Sequence, residues 1–236
     1  MAKKRKYTKE EVRDQRRSYS MIWIYPEGSE VEVDYFEYFK DISSRIKVVI
    51  NNDADKEKKD TRSANKWLID RYAEIRNNID KTIGDSAWFI IDVDRKSNED
   101  IHNLDTAVRD DGIAKVIISN PCFEVWKLYH CNHSEPYNTS CQIMKTRLHE
   151  ITKGKSHPLN LLSGIYDAIK LAKSEDPQPG YFFPKPDVVC YSKVYELIEY
   201  IQEKITVDEF NNFIKYRIPE KLDAYNRNIT ERKSGG

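Results

Sequence analysis

Four short apolar runs, each separated from the next by a stretch with helical spacing, constrain the fold of this chain more than any other feature. The runs have the length of strands and are rich in β-branched and aromatic residues. Strands that alternate with helices are typical of a parallel sheet with helices on both faces. We therefore predict an α/β core with a mainly parallel sheet of about four strands. The predicted strands cover residues 21–25, 46–50, 87–91 and 114–118.

Amphipathic periodicity predicts the helices that lie between and after these strands. In the first half of the chain, helices are expected at residues 33–43, 63–79 and 99–110, and a further helix is expected to start at Ser119-Asn120-Pro121. In the second half, helices are expected at residues 143–151, 159–172, 193–204 and 207–216, with a candidate strand at 187–191.

These patterns divide the chain into four parts. Polar, loop-like sequence follows the last predicted strand and its helix, and we place the end of the core there. The parts are a basic arm at residues 1–18, the α/β core at 19–130, a mainly helical extension packed on the core at 131–229, and a disordered tail at 230–236.

Charge distribution is more informative than net charge, because 39 basic and 39 acidic residues cancel. The arm concentrates basic residues, and Arg16 and Arg17 are candidates for contacts with nucleic-acid phosphates. The alternative is a solvated, frayed terminus. Neither charge nor periodicity indicates an oligomeric state, which stays open at this point.

The expected compartment follows from what the sequence lacks. No run approaches the ~18 apolar residues that a membrane helix needs. The basic N-terminus is not followed by the apolar segment of a secretory signal. The four cysteines are then most simply interpreted as reduced thiols. We expect a cytoplasmic protein without a membrane partner.

Acidic residues follow three of the predicted strands. Glu27 lies two residues after the first strand, Asp92 and Asp94 end the third, and Glu124 lies five residues beyond Ser119. The carboxyl ends of parallel strands meet at one edge of a sheet, where ligands bind in such folds. Carboxylate oxygens suit Mg²⁺ or Mn²⁺, and such ions can activate water for phosphodiester cleavage.

Each of these acids has a simpler explanation when taken alone. A single Asp-x-Asp in a chain rich in aspartate is usually solvated surface, and a glutamate after a strand can cap the next helix. The conjunction of acids from three strands is the stronger signal. We interpret Glu27, Asp92, Asp94 and Glu124 as candidate metal ligands and catalytic residues.

Four basic residues are candidates for phosphate contacts in the core and the extension. Arg95 and Lys96 follow the acid pair directly, and Lys153 and Lys155 flank Gly154 in a predicted turn. Arg95 could instead pair with an aspartate, and turn lysines are usually solvated charges. The spacing around Gly154 does not match a phosphate-binding loop.

Zinc is an alternative metal, because the chain also clusters histidine and cysteine. His130, Cys131, His133 and Cys141 lie within a dozen positions, but their spacing matches no common zinc motif. Cys122 is more simply interpreted as a small buried residue.

Three segments resemble a known family. Tyr25-Pro-Glu-Gly28 followed by Asp34-Tyr-Phe36 resembles the EGxxTExxYF opening of the RloB-like family. Ser119-Asn-Pro-Cys-Phe-Glu-Val-Trp126 resembles its SNPCFELW segment, and Phe89-Ile-Ile-Asp-Val-Asp94 its Asp-x-Asp strand. The resemblance covers roughly residues 15–130 and implies a Toprim-like core. It maps the acids of the family onto Glu27, Asp92, Asp94 and Glu124. The second acid of the family motif, which follows the glycine, is interpreted as lying at an altered spacing in this sequence, so Glu30, Glu32 and Asp34 receive no role.

Proteins of this family are found beside restriction or phage-defence genes, so the resemblance implies a nuclease in anti-phage, abortive-infection defence. Its substrate would be DNA or RNA, with tRNA among the candidates, and an ATPase encoded nearby is a candidate partner. The chain has little room for the extra domains of topoisomerases or primases, which leaves hydrolysis. A non-catalytic nucleic-acid-binding module that scaffolds the ATPase is the main alternative, and metal or nucleotide sensing is a third.

Overall fold

The computed structural model describes residues 18–28, 30–51, 64–93, 98–109, 112–135, 140–176 and 190–234. Several predicted residues lie outside these ranges. They are Arg16 and Arg17 of the arm, Asp94 of the acid pair, and the adjacent Arg95 and Lys96. Most of the candidate strand at 187–191 also lies outside them.

A five-stranded sheet forms the centre of the described structure. Its strands run in the order β2-β1-β3-β4-β5, and β1 to β4 are parallel to one another. The short β5 pairs antiparallel with β4. The α/β architecture and the four predicted parallel strands are confirmed. The strands are β1 Ser20–Pro26, β2 Ile46–Ile50, β3 Ser86–Asp92, β4 Ala114–Asn120 and β5 Tyr191–Ser192.

Ten α-helices are present in the described ranges, and none of them is long and apolar enough to cross a membrane. The first four connect or follow the parallel strands, and the other six belong to the second half. They are α1 Val31–Glu37, α2 Ala64–Ile75, α3 Asn98–Arg109, α4 Glu124–Tyr129, α5 Cys141–Thr152, α6 Pro158–Leu161, α7 Ile165–Glu175, α8 Val194–Lys204, α9 Val207–Asn212 and α10 Ile218–Ser234.

The sheet is buried on both faces. Alternate residues of β3 show this directly, because Trp88 and Ile90 belong to one apolar cluster and Phe89 and Ile91 to the other. Helices α2 and α3 cover the second cluster with Leu68, Tyr72, Ile101, Leu104 and Val108. Burial on both faces explains why the strands read as continuous apolar runs and not as alternating patterns.

The helices of the second half complete the other face of the sheet. Ile198 and Ile201 of α8 are fully buried in the same cluster as Trp88 and Ile90. Phe213, in the π-helical turn Phe213–Arg217 between α9 and α10, belongs to that cluster as well. These helices are therefore part of the main core.

Several element boundaries differ from the prediction, and three of the differences have a clear physical cause. Helix α1 ends at Glu37, because tight turns such as Phe39 N–H to Phe36 O (2.9 Å) replace helical hydrogen bonds. The helix expected at Ser119-Asn120-Pro121 begins only at Glu124, because Ser119 and Asn120 still pair with β5.

The third difference lies at the C-terminus. Helix α10 was not predicted from its periodicity, and it continues to Ser234, although disorder was expected from Thr230. Leu222 and Tyr225 pack its first half against the core, and Thr230 Oγ1 donates to the carbonyl of Asn226 (3.0 Å). Anchoring at one end lets a largely polar helix propagate.

A buried ion pair joins α7 to the end of β5. Lys193 Nζ lies 2.8 Å from Asp176 Oδ2, and their side chains are 4% and 0% exposed. Tyr195 Oη donates to the same carboxylate oxygen at 2.8 Å. The backbone N–H of Lys193 donates to Ile118 O (2.8 Å), so the pair is fixed to the sheet.

Breaking this pair should destabilise the fold. We expect Asp176→Ala to lower the free energy of unfolding by about 3 kcal/mol, the lower end of the cost of breaking a buried pair, because Lys193 would lose its nearest carboxylate and keep the more distant Glu196 (3.7 Å). A matched control is Lys173→Ala, which removes a partly exposed pair with Glu199 (2.7 Å) and should cost less than about 1 kcal/mol. Urea denaturation measures both values. Equal losses would contradict the assigned role of the buried pair.

Candidate active site

Glu27 lies at the carboxyl edge of the sheet, directly after β1. Its backbone N–H donates to Ile90 O (2.9 Å), which continues the pairing with β3 past the end of β1. Its carboxylate Oε2 accepts the backbone N–H of Asp92 at 3.2 Å. Two acids that are 65 positions apart in the chain are therefore in contact, as the strand pattern predicted.

Asp92 is the last residue of β3 and extends this edge toward β4. It is in register with Ser119 of β4, and the N–H of Val93 donates to Ser119 O (3.0 Å). After Asn120 the chain turns into α4, which begins at Glu124. Glu124 is only 6% exposed, so α4 holds its carboxylate in the protein interior beside the ends of the strands.

Glu32 is a further acid of this cluster, and its sequence context had given it no role. It lies in the first turn of α1 and is 6% exposed. Burial raises the pKa of the Glu32 carboxyl, and the negative charges of Glu124 and Glu27 raise it further. A backbone hydrogen bond and the positive charge of Lys127 oppose the rise. Helix α1 thus brings another carboxylate close to Glu27 and Glu124.

Two sequence signals could have identified Glu32. It precedes Tyr35, Phe36 and Phe39 by three, four and seven residues, and all three are buried, so it lies on the apolar face of its helix. In addition, counting along the EGxxTExxYF motif from Glu27 puts the second glutamate of that motif at position 32. The interpretation that the spacing was altered is therefore wrong.

The Glu32 carboxylate lies close to the backbone at Gly28. A Cβ atom on residue 28 would lie 2.2 Å from Glu32 Oε2, so a larger residue there would require the Glu32 carboxylate to shift. The glycine of the motif thus leaves room for the Glu32 carboxylate close to the backbone.

Lys127 is a buried cation within the same cluster. It lies three residues after Glu124, on the same side of α4, and is 8% exposed. Burial lowers the pKa of the Lys127 amine, whereas the negative charges of Glu124, Glu32 and Asp34 raise it. In the sequence, Lys127 interrupts an otherwise apolar run after Glu124, which indicates a buried lysine. This signal was not used in the prediction of site residues.

The two described lysines that were predicted to contact phosphate lie outside this buried cluster. Lys153 and Lys155 are exposed on the turn after α5. Two residues later, His157 Nε2 lies 3.5 Å from Tyr38 Oη. Burial lowers the pKa of His157, the negative charge of Asp34 raises it, and the positive charge of Lys127 lowers it further. The turn therefore approaches the cluster from the side of α1.

The histidines and cysteines of the alternative zinc site have other surroundings. His130 Nε2 lies 3.0 Å from Tyr35 Oη, and burial lowers the pKa of His130 to about 3. His133 Nε2 lies 2.8 Å from Glu135 Oε1. Cys122 is buried beside Glu124, as predicted for a small core residue, and burial raises the pKa of its thiol.

The side chains of this cluster offer the type of ligand atom that a hard divalent cation prefers. Glu27, Glu32, Asp92 and Glu124 offer carboxylate oxygens, which Mg²⁺ and Mn²⁺ prefer. Across the described ranges, no three or more His, Cys, Asp or Glu side chains are already arranged around a metal position. Asp94, the second acid of the pair, is not among the described residues. The carboxylates at this edge are of the chemical type that such an ion prefers, and Asp94 follows Asp92 by two positions in the sequence.

Comparison with known proteins agrees with the motifs at this edge. The sequence model described as RloB-like protein matches residues 22–201, which is well over half of the chain and includes Glu27, Glu32, Asp92, Glu124 and Lys127. No curated protein and no solved structure matches the chain significantly. On the strength of the family match, this chain belongs to the RloB-like family.

Proposed function

We propose that this protein is a metal-dependent endonuclease that hydrolyses phosphodiester bonds of DNA or RNA, with tRNA among the candidate substrates. The observation that carries the proposal is the contact between the Glu27 carboxylate and the backbone of Asp92, which joins acids of two strands at one edge of the sheet. Membership in the RloB-like family supports a role as an effector of anti-phage, abortive-infection defence in the cytoplasm.

The proposed ligands of Mg²⁺ or Mn²⁺ are Glu27, Glu32, Asp92, Asp94 and Glu124. Such an ion, when bound, lowers the pKa of a water molecule and offsets charge that develops on the phosphate. Glu27 is also the candidate general base. The hydrogen bond from Asp92 N–H orients its carboxylate before substrate binds, which reduces reorganisation during the reaction.

Basic residues of the chain would hold the phosphate backbone of the nucleic acid. Lys153 and Lys155 are exposed, so a polyanion can reach them. Arg16, Arg17, Arg95 and Lys96 belong to the same proposal from their positions in the sequence. An ATPase encoded nearby is the proposed protein partner.

Nuclease activity should depend on both metal and Glu27. With labelled DNA, tRNA and mixed RNA, we expect cleavage of at least one substrate in Mg²⁺ or Mn²⁺ and none in EDTA. Glu27→Gln should reduce the rate by about 10²–10⁴-fold, as loss of a general base does, and Asp94→Asn should abolish cleavage through loss of a ligand. Glu30→Gln, an exposed glutamate three residues from Glu27, is the matched control. Binding without cleavage under every metal would favour a non-catalytic module that scaffolds the ATPase.

Lys153 and Lys155 should contribute to binding through the phosphates of the nucleic acid. We expect the double variant Lys153→Gln/Lys155→Gln to weaken binding of all nucleic-acid sequences alike. The slope of log affinity against log salt concentration should become shallower by about one for each lysine that no longer neutralises a phosphate. Fluorescence anisotropy in EDTA measures this without cleavage. The exposed Lys47→Gln in β2 is the control, and an unchanged slope in the double variant would rule out phosphate binding by these two lysines.

Glu32 should lower the stability of the metal-free protein. Because its pKa is raised in the folded state, the folded protein binds more protons, and stability falls as pH rises through that pKa. We expect Glu32→Gln to raise the free energy of unfolding by about 0.5–2 kcal/mol at neutral to alkaline pH. The gain in stability should vanish below pH 4.5, which is the ordinary pKa of a glutamate carboxyl group. Urea denaturation across this pH range tests it, and a gain that does not change with pH would contradict the assignment.

A further inference from the structure

We propose that Tyr35 and His130 are positioning residues of the proposed nuclease site, and that the buried hydrogen bond between them holds the Glu32 carboxylate at the sheet edge. This inference rests on the proposed function and deepens it. Both residues are buried, so they act through Glu32 and not by touching the substrate.

The hydrogen bond connects helix α1 to the end of helix α4. Tyr35 Oη lies 3.0 Å from His130 Nε2, and the two residues are 0% and 7% exposed. They are 95 positions apart in the chain, so the bond joins elements that only the tertiary structure brings together. His130, which matched no zinc motif, thus has a defined partner on the helix that carries Glu32.

Helix α1 is short and depends on contacts with the rest of the fold. It has seven residues, and its N-cap residue Glu30 makes no capping hydrogen bond through its side chain. A helix of this length is held by tertiary contacts more than by its own hydrogen bonds. Glu32 lies in its first turn, and Tyr35 follows three residues later on the same side of the helix. The bond at Tyr35 is therefore one turn away from the Glu32 carboxylate.

The position of the Glu32 carboxylate depends closely on where α1 lies. A Cβ atom on residue 28 would be 2.2 Å from Glu32 Oε2, so this carboxylate lies against the backbone next to Glu27. Glu27 in turn accepts the backbone N–H of Asp92 at 3.2 Å. A shift or a rotation of α1 would move the Glu32 carboxylate relative to both of these acids.

His130 is a firm anchor for α1, because its own surroundings are closely packed. It follows the last residue of α4, and all six residues of that helix are buried. The ring of Trp126 lies edge-on to the imidazole, with 5.1 Å between the ring centroids. A Cβ atom on Gly164 would lie 2.2 Å from His130 O, so the turn before α7 also closely approaches the His130 backbone.

Aromatic packing brings α1 and α4 together, and the hydrogen bond adds a direction. The Tyr35 ring packs edge-on against Phe123 and Trp126, with 5.5 Å and 6.4 Å between ring centroids. The hydrophobic stabilisation of such contacts is non-directional, whereas a hydrogen bond weakens steeply when its angle changes. The bond from Tyr35 to His130 therefore favours one orientation of α1 over others that would bury the same rings.

The test removes the Tyr35 hydroxyl and keeps its ring. On the labelled DNA or RNA that the unmodified protein cleaves, we expect Tyr35→Phe to lower kcat per folded molecule by about 10–100-fold with KM unchanged, because a misplacement of about 1 Å is enough for such a loss. The matched control is Tyr200→Phe, which removes a hydroxyl that donates to Gly84 O (2.9 Å) just before β3, at the opposite edge of the sheet. This control should keep the unmodified rate.

Three further measurements separate positioning from a purely structural role. Urea denaturation gives the folded fraction, and a bond that served stability alone would leave the rate per folded molecule unchanged. Crystal structures should show the Glu32 carboxylate displaced from Gly28 in Tyr35→Phe and unmoved in Tyr200→Phe. His130→Gln, which keeps a hydrogen-bonding group near the position of Nε2, should retain most of the rate, whereas His130→Leu should lose as much as Tyr35→Phe. If Tyr35→Phe does not fold, the two His130 variants decide.

The outcomes distinguish this inference from the proposed function. Equal rates per folded molecule for Tyr35→Phe and Tyr200→Phe, equal rates for the two His130 variants, or an unmoved Glu32 carboxylate in Tyr35→Phe would overturn the inference and leave the proposed nuclease in place. An unmodified protein that cleaves no substrate in Mg²⁺ or Mn²⁺ would remove the proposed function itself, and the inference with it.

Discussion

The parallel pairing of β1, β3 and β4 is the constraint on which the rest of this structure depends. Parallel strands end at the same edge of a sheet, so the residues after β1 and at the end of β3 meet whatever their distance in the chain. The contact between Glu27 and Asp92 is the direct result. Because both faces of the sheet are covered by helices, this edge is also where buried charge can approach solvent.

Gathering carboxylates at one edge opposes folding. Buried Glu32 and Glu124 lose hydration and repel each other, which the two apolar clusters on either side of the sheet must offset. Gly28 leaves room for the Glu32 carboxylate against the backbone, and Lys127 reduces the repulsion. Such a concentration of like charge in an otherwise well-packed protein is typical of a functional site.

The second half of the chain contributes to the site through packing. Its helices bury the face of the sheet that carries Trp88 and Ile90, and they enclose α4 so that Glu124 and Lys127 are held away from bulk water. The ion pair between Asp176 and Lys193 ties these helices to β4 by way of β5. The environment of the acids is thus a property of the whole described fold.

The sequence by itself determined the four parallel strands and most of the helices around them, because periodicity is a local property of the chain. It also determined that the acids Glu27, Asp92 and Glu124 follow the ends of strands, because their positions relative to the strands can be counted along the chain. Its motifs also led to the RloB-like family. Sequence signals for Glu32 and Lys127 existed, but only the tertiary structure decided that both side chains are buried near these acids. It also decided that β5 runs antiparallel and that the chain stays helical to Ser234. The reason is physical: whether a charged side chain is buried, or a polar helix is held in place, depends on surfaces contributed by residues far away in the sequence.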